Sequence, residues 1–377
     1  MSASQKALAS QKASASQKIL PQIILTGSVA IDHIMVFPGK FEDVIQPDKL
    51  HILSISVLLD ELRETRGGVA ANIAYNLGLL GQESVLLAAV GEDARGFMND
   101  LSSLGVNIDY LHYAQSKTAS FSVITDQNDC QVGGFYPGAM SDARSLSLQR
   151  WQNSGQPWQN SGQYRQDSEV LVVISPHDPA QMSHQVQECQ KFGLKMLYDV
   201  GQQVNNLTQQ DLRAGVESAE LLIMNDYELG SLIQKTGWSQ AQILKKVGLI
   251  LVTLGEKGVK ILQAGAGKNS GEGESSGEGE SSGEGESLSK GKNSGAGERL
   301  VKAVKIKKVV DPTGAGDAFR AGFLYGYVRK WDVIKSAQLG CVVASFAVTK
   351  YGTQEHKFNQ KQLIAIYQET YGKKIVF

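Results

Sequence analysis

Short, almost continuously apolar runs alternating with helical segments restrict the fold of this chain more than any other feature. Residues 23–27, 84–90, 170–175, 194–199, 221–224 and 249–253 read as strands, and 69–80, 179–192 and 240–247 carry helical spacing between them. Strands that are apolar on both faces need cover on both. Helices on either side of a mostly parallel sheet supply it, so the fold class is α/β, a three-layer α/β/α sandwich. Two stretches break the alternation: residues 34–57 and 118–136 read as β segments without intervening helices. They suit a small β-sheet lid over the C-terminal edge of the main sheet, where α/β sheets hold ligands. A chain of 377 residues, 42% hydrophobic, can bury a core of that size.

Three low-complexity stretches stand outside this pattern. Residues 2–7, 8–13 and 14–19 repeat a hexapeptide (SASQKA, LASQKA, SASQKI) without the apolar centre of a signal peptide, so residues 1–21 read as a disordered tail. A Trp-Gln-Asn-Ser-Gly-Gln unit recurs at 151–156 and 158–163, within an insert spanning about 148–166. Residues 264–298 are nearly all Gly, Ser, Glu, Ala, Lys and Asn, a composition that cannot offset its ordering entropy. Residues 22–377 then form one domain, with lid segments at about 33–60 and 115–139.

A net charge of −1 gives no reason to expect nucleic-acid or membrane-surface partners, and no run of about eighteen apolar residues spans a bilayer. Cys130, Cys189 and Cys341 are odd in number and far apart, which points to a reducing, cytoplasmic setting and away from a disulfide framework or zinc site.

The chemistry concentrates in Asp311-Pro312-Thr313-Gly314-Ala315-Gly316-Asp317, between the β-branched, lysine-interleaved run 301–310 and the apolar segment 318–328. That order reads as strand, glycine turn, helix. Amides at a helix start have no intrahelical partner and suit an anion. Asp317 would be repelled there unless it takes a proton from a hydroxyl while the amides hold a phosphoryl group. A dipole-favoured acid in a first helical turn is the plainer alternative.

Three other stretches share this form. Gly67-Gly68 precede a helix carrying Asn72, whose amide suits a pair of hydroxyls or a buried cap, and Asp32 follows the first strand. Asn225 and Glu228 lie three apart after a strand, suited either to water-mediated magnesium near phosphates or to a capping box. Thr253, Gly255 and Gly258 mark a strand-to-glycine turn that reads as a nucleotide contact or as a plain hairpin.

In this order the stretches GGVAAN, NDYE, TLGEKG and DPTGAGDAF resemble the ribokinase-like (PfkB-type) carbohydrate and nucleoside kinases. Residues 37–51, 133–144, 225–239 and 336–356 are similar to the bacterial adenosine kinases, and the likeness covers about 22–372 apart from the inserts. The resemblance implies ATP-dependent phosphorylation of a ribose 5′-hydroxyl. Asp317 becomes the base, and Gly314, Ala315 and Gly316 the anion hole. Ser28, Asp32, Gly68 and Asn72 would bind the ribose, Phe121 and Phe135 would stack the base, and Gln202 and Gln203 would read its edge. Asn225 and Glu228 would position magnesium and phosphate, Glu228 through water, and Thr253, Gly255 and Gly258 would line the ATP site. The likeness also implies a homodimer through the lid, with Ser56 contributing to the neighbouring site, and leaves a monovalent-cation (K⁺) requirement open. Asp199-Val200-Gly201 departs from the Asp-Pro of relatives, and the 264–298 segment is expected near the adenine of ATP. A PfkB-type sugar kinase and a non-catalytic nucleoside binder are the competing readings.

Overall fold

The structure is a computed structural model that describes residues 22–128, 130–153, 170–264 and 297–377. The N-terminal repeats, most of the 148–166 insert and nearly all of 264–298 lie outside the described residues.

The strands in chain order are β1 (Gln22–Thr26), β2 (Ala30–Val36), β3 (Glu61–Gly67), β4 (Ser84–Leu87), β5 (Ala89–Gly91), β6 (Val106–Asn107), β7 (His112–Ala114) and β8 (Ser120–Thr125). They continue with β9 (Gln131–Tyr136), β10 (Val170–Ile174), β11 (Lys195–Tyr198), β12 (Leu221–Asn225), β13 (Leu249–Thr253), β14 (Val259–Gln263) and β15 (Gly297–Val301). The main helices are α1 (Val69–Leu79), α2 (Arg95–Ser103), α3 (Pro179–Phe192), α4 (Gln209–Ser218) and α5 (Asp226–Thr236). After these come α6 (Gln240–Val247), α7 (Ala315–Val328), α8 (Val333–Ala347) and α9 (Gln360–Tyr371).

Among the described residues the main sheet has nine strands in the order β15-β14-β13-β12-β11-β10-β1-β4-β6. From β13 to β6 every pairing is parallel, and β14 and β15 close one edge antiparallel. Side chains alternate between two cores. Ile23, Leu25, Leu171, Val173 and Leu197 pack with α1, α2, α7 and α8, whereas Ile24, Val172, Ile174 and Met196 pack with α3 to α6. Two covered faces explain the unbroken apolar strands.

β1 lies between β10 and β4, so the chain order reverses there, and the C-terminal ends of β1, β10, β11, β12 and β13 share one rim. Over it sits a four-stranded lid, β3-β2-β8-β9, with antiparallel pairs at each edge and a parallel pair, β2 and β8, at its centre.

Three expectations are corrected. The stretch 34–57 is β only at its start; a short helix (Phe41–Val44), a 3₁₀ turn (Pro47–Ile52) and irregular chain follow before β3. Pro38 and Pro47 deny it the amide donors of a ladder. The run 84–90 divides into β4 of the main sheet and β5, which pairs with β7. The run 301–310 is not a strand, because β15 stops at Val301 opposite Val259, the first residue of β14, and no partner remains beyond it.

Gln263 pairs with both Leu249 and Gly297, so the chain between β14 and β15 leaves and re-enters beside the start of β13. That is the opposite end of β13 from Thr253. The described ends of the 264–298 segment therefore lie at the opposite end of β13 from the TLGEKG turn, and the rest of that segment lies outside the described residues.

Candidate active site

The site is built where two helix starts meet above the rim. Ser28, just past β1, receives the Val69 amide on its hydroxyl at 3.0 Å and the Ala70 amide on its carbonyl at 3.2 Å. It thereby caps α1. Gly68, immediately before that helix, has φ +92°, and a Cβ there would lie 2.5 Å from the Ser28 carbonyl oxygen. The glycine is needed first for the protein's own backbone. Gly68→Ala is expected to destabilise the fold by ~1–3 kcal/mol, read as a lowered unfolding midpoint in a denaturant titration.

At the second helix start, Gly314 has φ +78° and a Cβ there would meet Thr353 at 2.9 Å. The Ala315 amide turns back onto the Pro312 carbonyl at 3.2 Å, whereas the amides of Gly316 and Asp317 have no carbonyl partner among the described residues. Free amides at the positive end of a fourteen-residue helix are suited to an anion.

Asp317 is the third residue of α7 and only 8% exposed. Its Oδ2 accepts from Asn72 Nδ2 at 2.8 Å, and its Oδ1 lies 3.8 Å from Arg320 Nη1. Burial pushes this carboxyl above the ordinary carboxylate value, while the Arg320 cation and the Asn72 hydrogen bond pull it back. Arg320, one turn on, grips Asp199 at the end of β11 through Nε–Oδ2 at 2.7 Å and Nη2–Oδ1 at 2.8 Å. Burial pushes Asp199 up to about 7 against the pull of Arg320.

The other predicted residues fall into groups. Asp32, on β2, accepts the Phe121 amide at 3.3 Å and abuts Gly67, where a Cβ would meet its Oδ2 at 2.5 Å. Burial raises its pKa. Phe121 and Phe135 are cross-strand partners on β8 and β9 and stand 40% and 53% exposed, leaving aromatic surface free on the lid. Asn225 and Glu228 form the capping box at the start of α5, with Glu228 Oε2 on the Asn225 amide at 2.8 Å. Thr253 is the register partner of Asn225, so both end neighbouring strands on the same rim.

The remaining predicted residues lie on turns and irregular chain. Gly255 and Gly258 belong to the hairpin between β13 and β14, and Gly258, φ +100°, lets the Val301 carbonyl approach. Gln202 and Gln203 lie on the turn Gly201–Asn205 after β11; Gln202 is exposed and Gln203 Oε1 is taken by Asn206 at 2.8 Å. Ser56 is exposed in the irregular segment before β3. Among the described residues no hydrogen bond joins Gln202, Gln203 or Ser56 to the Asp317–Asn72 pair.

Sequence reasoning did not find Arg320, Asp199, Thr353 or Gln354 as site residues. For Arg320 a cation inside the apolar segment 318–328 is a signal that could have marked the need for a buried partner.

The family described as pfkB family carbohydrate kinase matches residues 28–276 and 281–360. The chain belongs to that family. A nucleoside kinase of Methanocaldococcus jannaschii is 26% identical over 341 residues, 89% of this chain and 93% of its own length. The structure of a Burkholderia thailandensis nucleoside kinase in complex with inosine superposes with a TM-score of 0.72 at 26% identity, covering 94% of this chain and 100% of that one. Its complex with ADP-inosine gives a TM-score of 0.70 at 26% identity over 93% and 97%. Those relatives are named nucleoside kinases, a broader description than the adenosine kinases of the sequence likeness. Kinase membership agrees with a rim that offers an anion cradle next to a buried carboxylate.

Proposed function

We propose that this kinase transfers the γ-phosphoryl group of ATP to the 5′-hydroxyl of a purine nucleoside, with adenosine as an acceptor. The observation that carries this reading is the buried Asp317 carboxylate beside the free amides of Gly316 and Asp317 at the start of α7. Asp317 takes the hydroxyl proton as the oxygen attacks phosphorus and the bond to the leaving ADP breaks. The α7 amides and helix dipole hold the charge on the transferring group. Magnesium bound with ATP offsets phosphate charge. Glu228, at the start of α5 on the same rim, would hold that ion through water.

The nucleoside half rests on the lid, where Phe121 and Phe135 offer faces that a flat base fills and a bare sugar does not. Asp32, tied to the Phe121 amide, then lies between base and ribose. The nucleoside kinases of similar sequence, one solved with inosine, support the same substrate class. Leu62 and Val132 are exposed on the lid face opposite Phe121 and Phe135, and this apolar surface supports pairing of two copies, which sedimentation of the purified protein by analytical ultracentrifugation would detect as a dimer.

An acceptor panel with magnesium-ATP tests the function. Adenosine, and inosine or guanosine with it, is expected to be phosphorylated in preference to ribose or fructose; preference for a free sugar would make this a sugar kinase. Phe121→Ala is expected to raise the KM for the nucleoside about tenfold, the scale of one lost base stack, with the KM for ATP nearly unchanged. Turnover should fall as pH drops, with its midpoint above the ordinary carboxylate value, because Asp317 must be ionised to accept a proton and burial raises its pKa.

A further inference from the structure

Residues 352–356 (Gly-Thr-Gln-Glu-His) lie between α8 and α9 and are zipped onto α1. Gln354 Nε2 donates to Asn72 Oδ1 at 2.9 Å, and Thr353 Oγ1 lies 2.8 Å from the same oxygen. Further along, His356 Nε2 meets Asn76 Oδ1 at 2.8 Å, and the Tyr75 hydroxyl donates to the His356 carbonyl at 2.5 Å. Gly352, Thr353, Gln354 and His356 are all buried.

The Asn72 amide is nearly symmetric in shape, so packing alone does not decide which end faces Asp317. The donors behind it do. An oxygen turned toward Gln354 leaves the nitrogen to face the carboxylate, while the reverse would set an acceptor against an ionised Oδ2. Thr353 has a single proton, and its hydroxyl also lies 2.7 Å from the Arg66 carbonyl of β3. That proton is shared between two acceptors, so Gln354 is the steady donor to Asn72. Gln354 Oε1 is itself buried without a partner among the described residues. The side chain sets its amide nitrogen on Asn72 while its own oxygen meets no partner among the described residues.

We propose that Gln354, seconded by Thr353, is a positioning residue for phosphoryl transfer: it fixes the Asn72 amide so that Nδ2 orients the Asp317 carboxylate. The inference rests on Asp317 being the base. Thr353 also abuts Gly314, and the Gly352 amide donates to Asp311 Oδ2 at 3.0 Å, so the same segment backs the base and the anion turn together.

The test is steady-state kinetics on the full chain with magnesium-ATP and adenosine. Gln354→Glu keeps the shape but offers only acceptors when ionised, which turns Asn72 around and sets its oxygen against Asp317. It is expected to lower kcat by about 10- to 100-fold with the KM for ATP within about twofold. Gln354→Met, which removes the donor without reversing it, should lose only about two- to fivefold while Thr353 still donates, and adding Thr353→Val should deepen the loss. Wild-type turnover in Gln354→Glu overturns the proposal, as does a Met variant as impaired as the Glu variant, since that is what a packing role gives. Should Gln354→Glu not fold, the Met/Val double variant decides, and unchanged turnover there overturns it. Asp317→Asn runs alongside: if it stays active the base reading falls and this proposal with it, whereas an inactive Asp317→Asn beside an unimpaired Gln354→Glu removes this proposal alone.

Discussion

Asp317→Asn is expected to lower kcat with adenosine by about 10²- to 10⁴-fold, the usual contribution of a positioned base, while ATP still binds. The substitution is nearly isosteric and leaves the α7 amides and the Gly314 turn in place. It removes only the group able to accept a proton. Asn72 Nδ2, now 2.8 Å from the carboxylate, would face either the oxygen or the nitrogen of the new amide, so a modest loss of order accompanies the loss of basicity. Nucleotide affinity measured by calorimetry separates the two effects. Turnover close to that of the unaltered chain would remove Asp317 from the reaction.

Arg320→Met is expected to be the most destabilising of the substitutions considered, by ~3–5 kcal/mol, because one half of a buried ion pair is removed and the other remains. Arg320 and Asp199 are 7% and 1% exposed, and the guanidinium holds Asp199 through two contacts while approaching Asp317. Methionine fills much of the volume but leaves two carboxylates facing each other across it. The loss depends on pH with a definite sign. Burial already holds the Asp199 carboxyl near 7, above its unfolded value near 3.8, so the folded state binds the extra proton within that window. The stability this proton supplies is lost as pH rises through the window, and removing the cation pushes the carboxyl higher still. Arg320→Met should therefore be less damaging near pH 5 than near pH 8 in thermal melts. Adding Asp199→Asn should recover part of the loss, and a double variant no more stable than Arg320→Met would show that the pair is not what Arg320 stabilises.

The parallel core was legible because its strands are buried on both faces, so the runs at 23–27, 170–175 and 249–253 carry an unbroken apolar signal. The glycine turn and Asp317 were legible because local φ demands and helix-start chemistry leave a mark within a few residues. The run 301–310 misled for a physical reason. Its alternating lysines suit an edge strand, but pairing is decided by the neighbour, and β14 has no residue beyond Val259 to offer. Asn225 and Glu228 form the capping box that their spacing equally allowed. Arg320 and Gln354 were hidden because their partners lie 121 and 282 residues away in the chain, where no local pattern reaches.

The pairing of Gln263 with both Leu249 and Gly297 has a practical consequence. It fastens the described ends of the β14–β15 connection at the start of β13, with about 13 Å of strand between them and the rim where Thr253 lies. A protein fused or a surface tethered next to residue 264 or 297 would be joined at the side of the sheet away from that rim. The kinase could then be immobilised with its lid and the Asp317 rim turned outward.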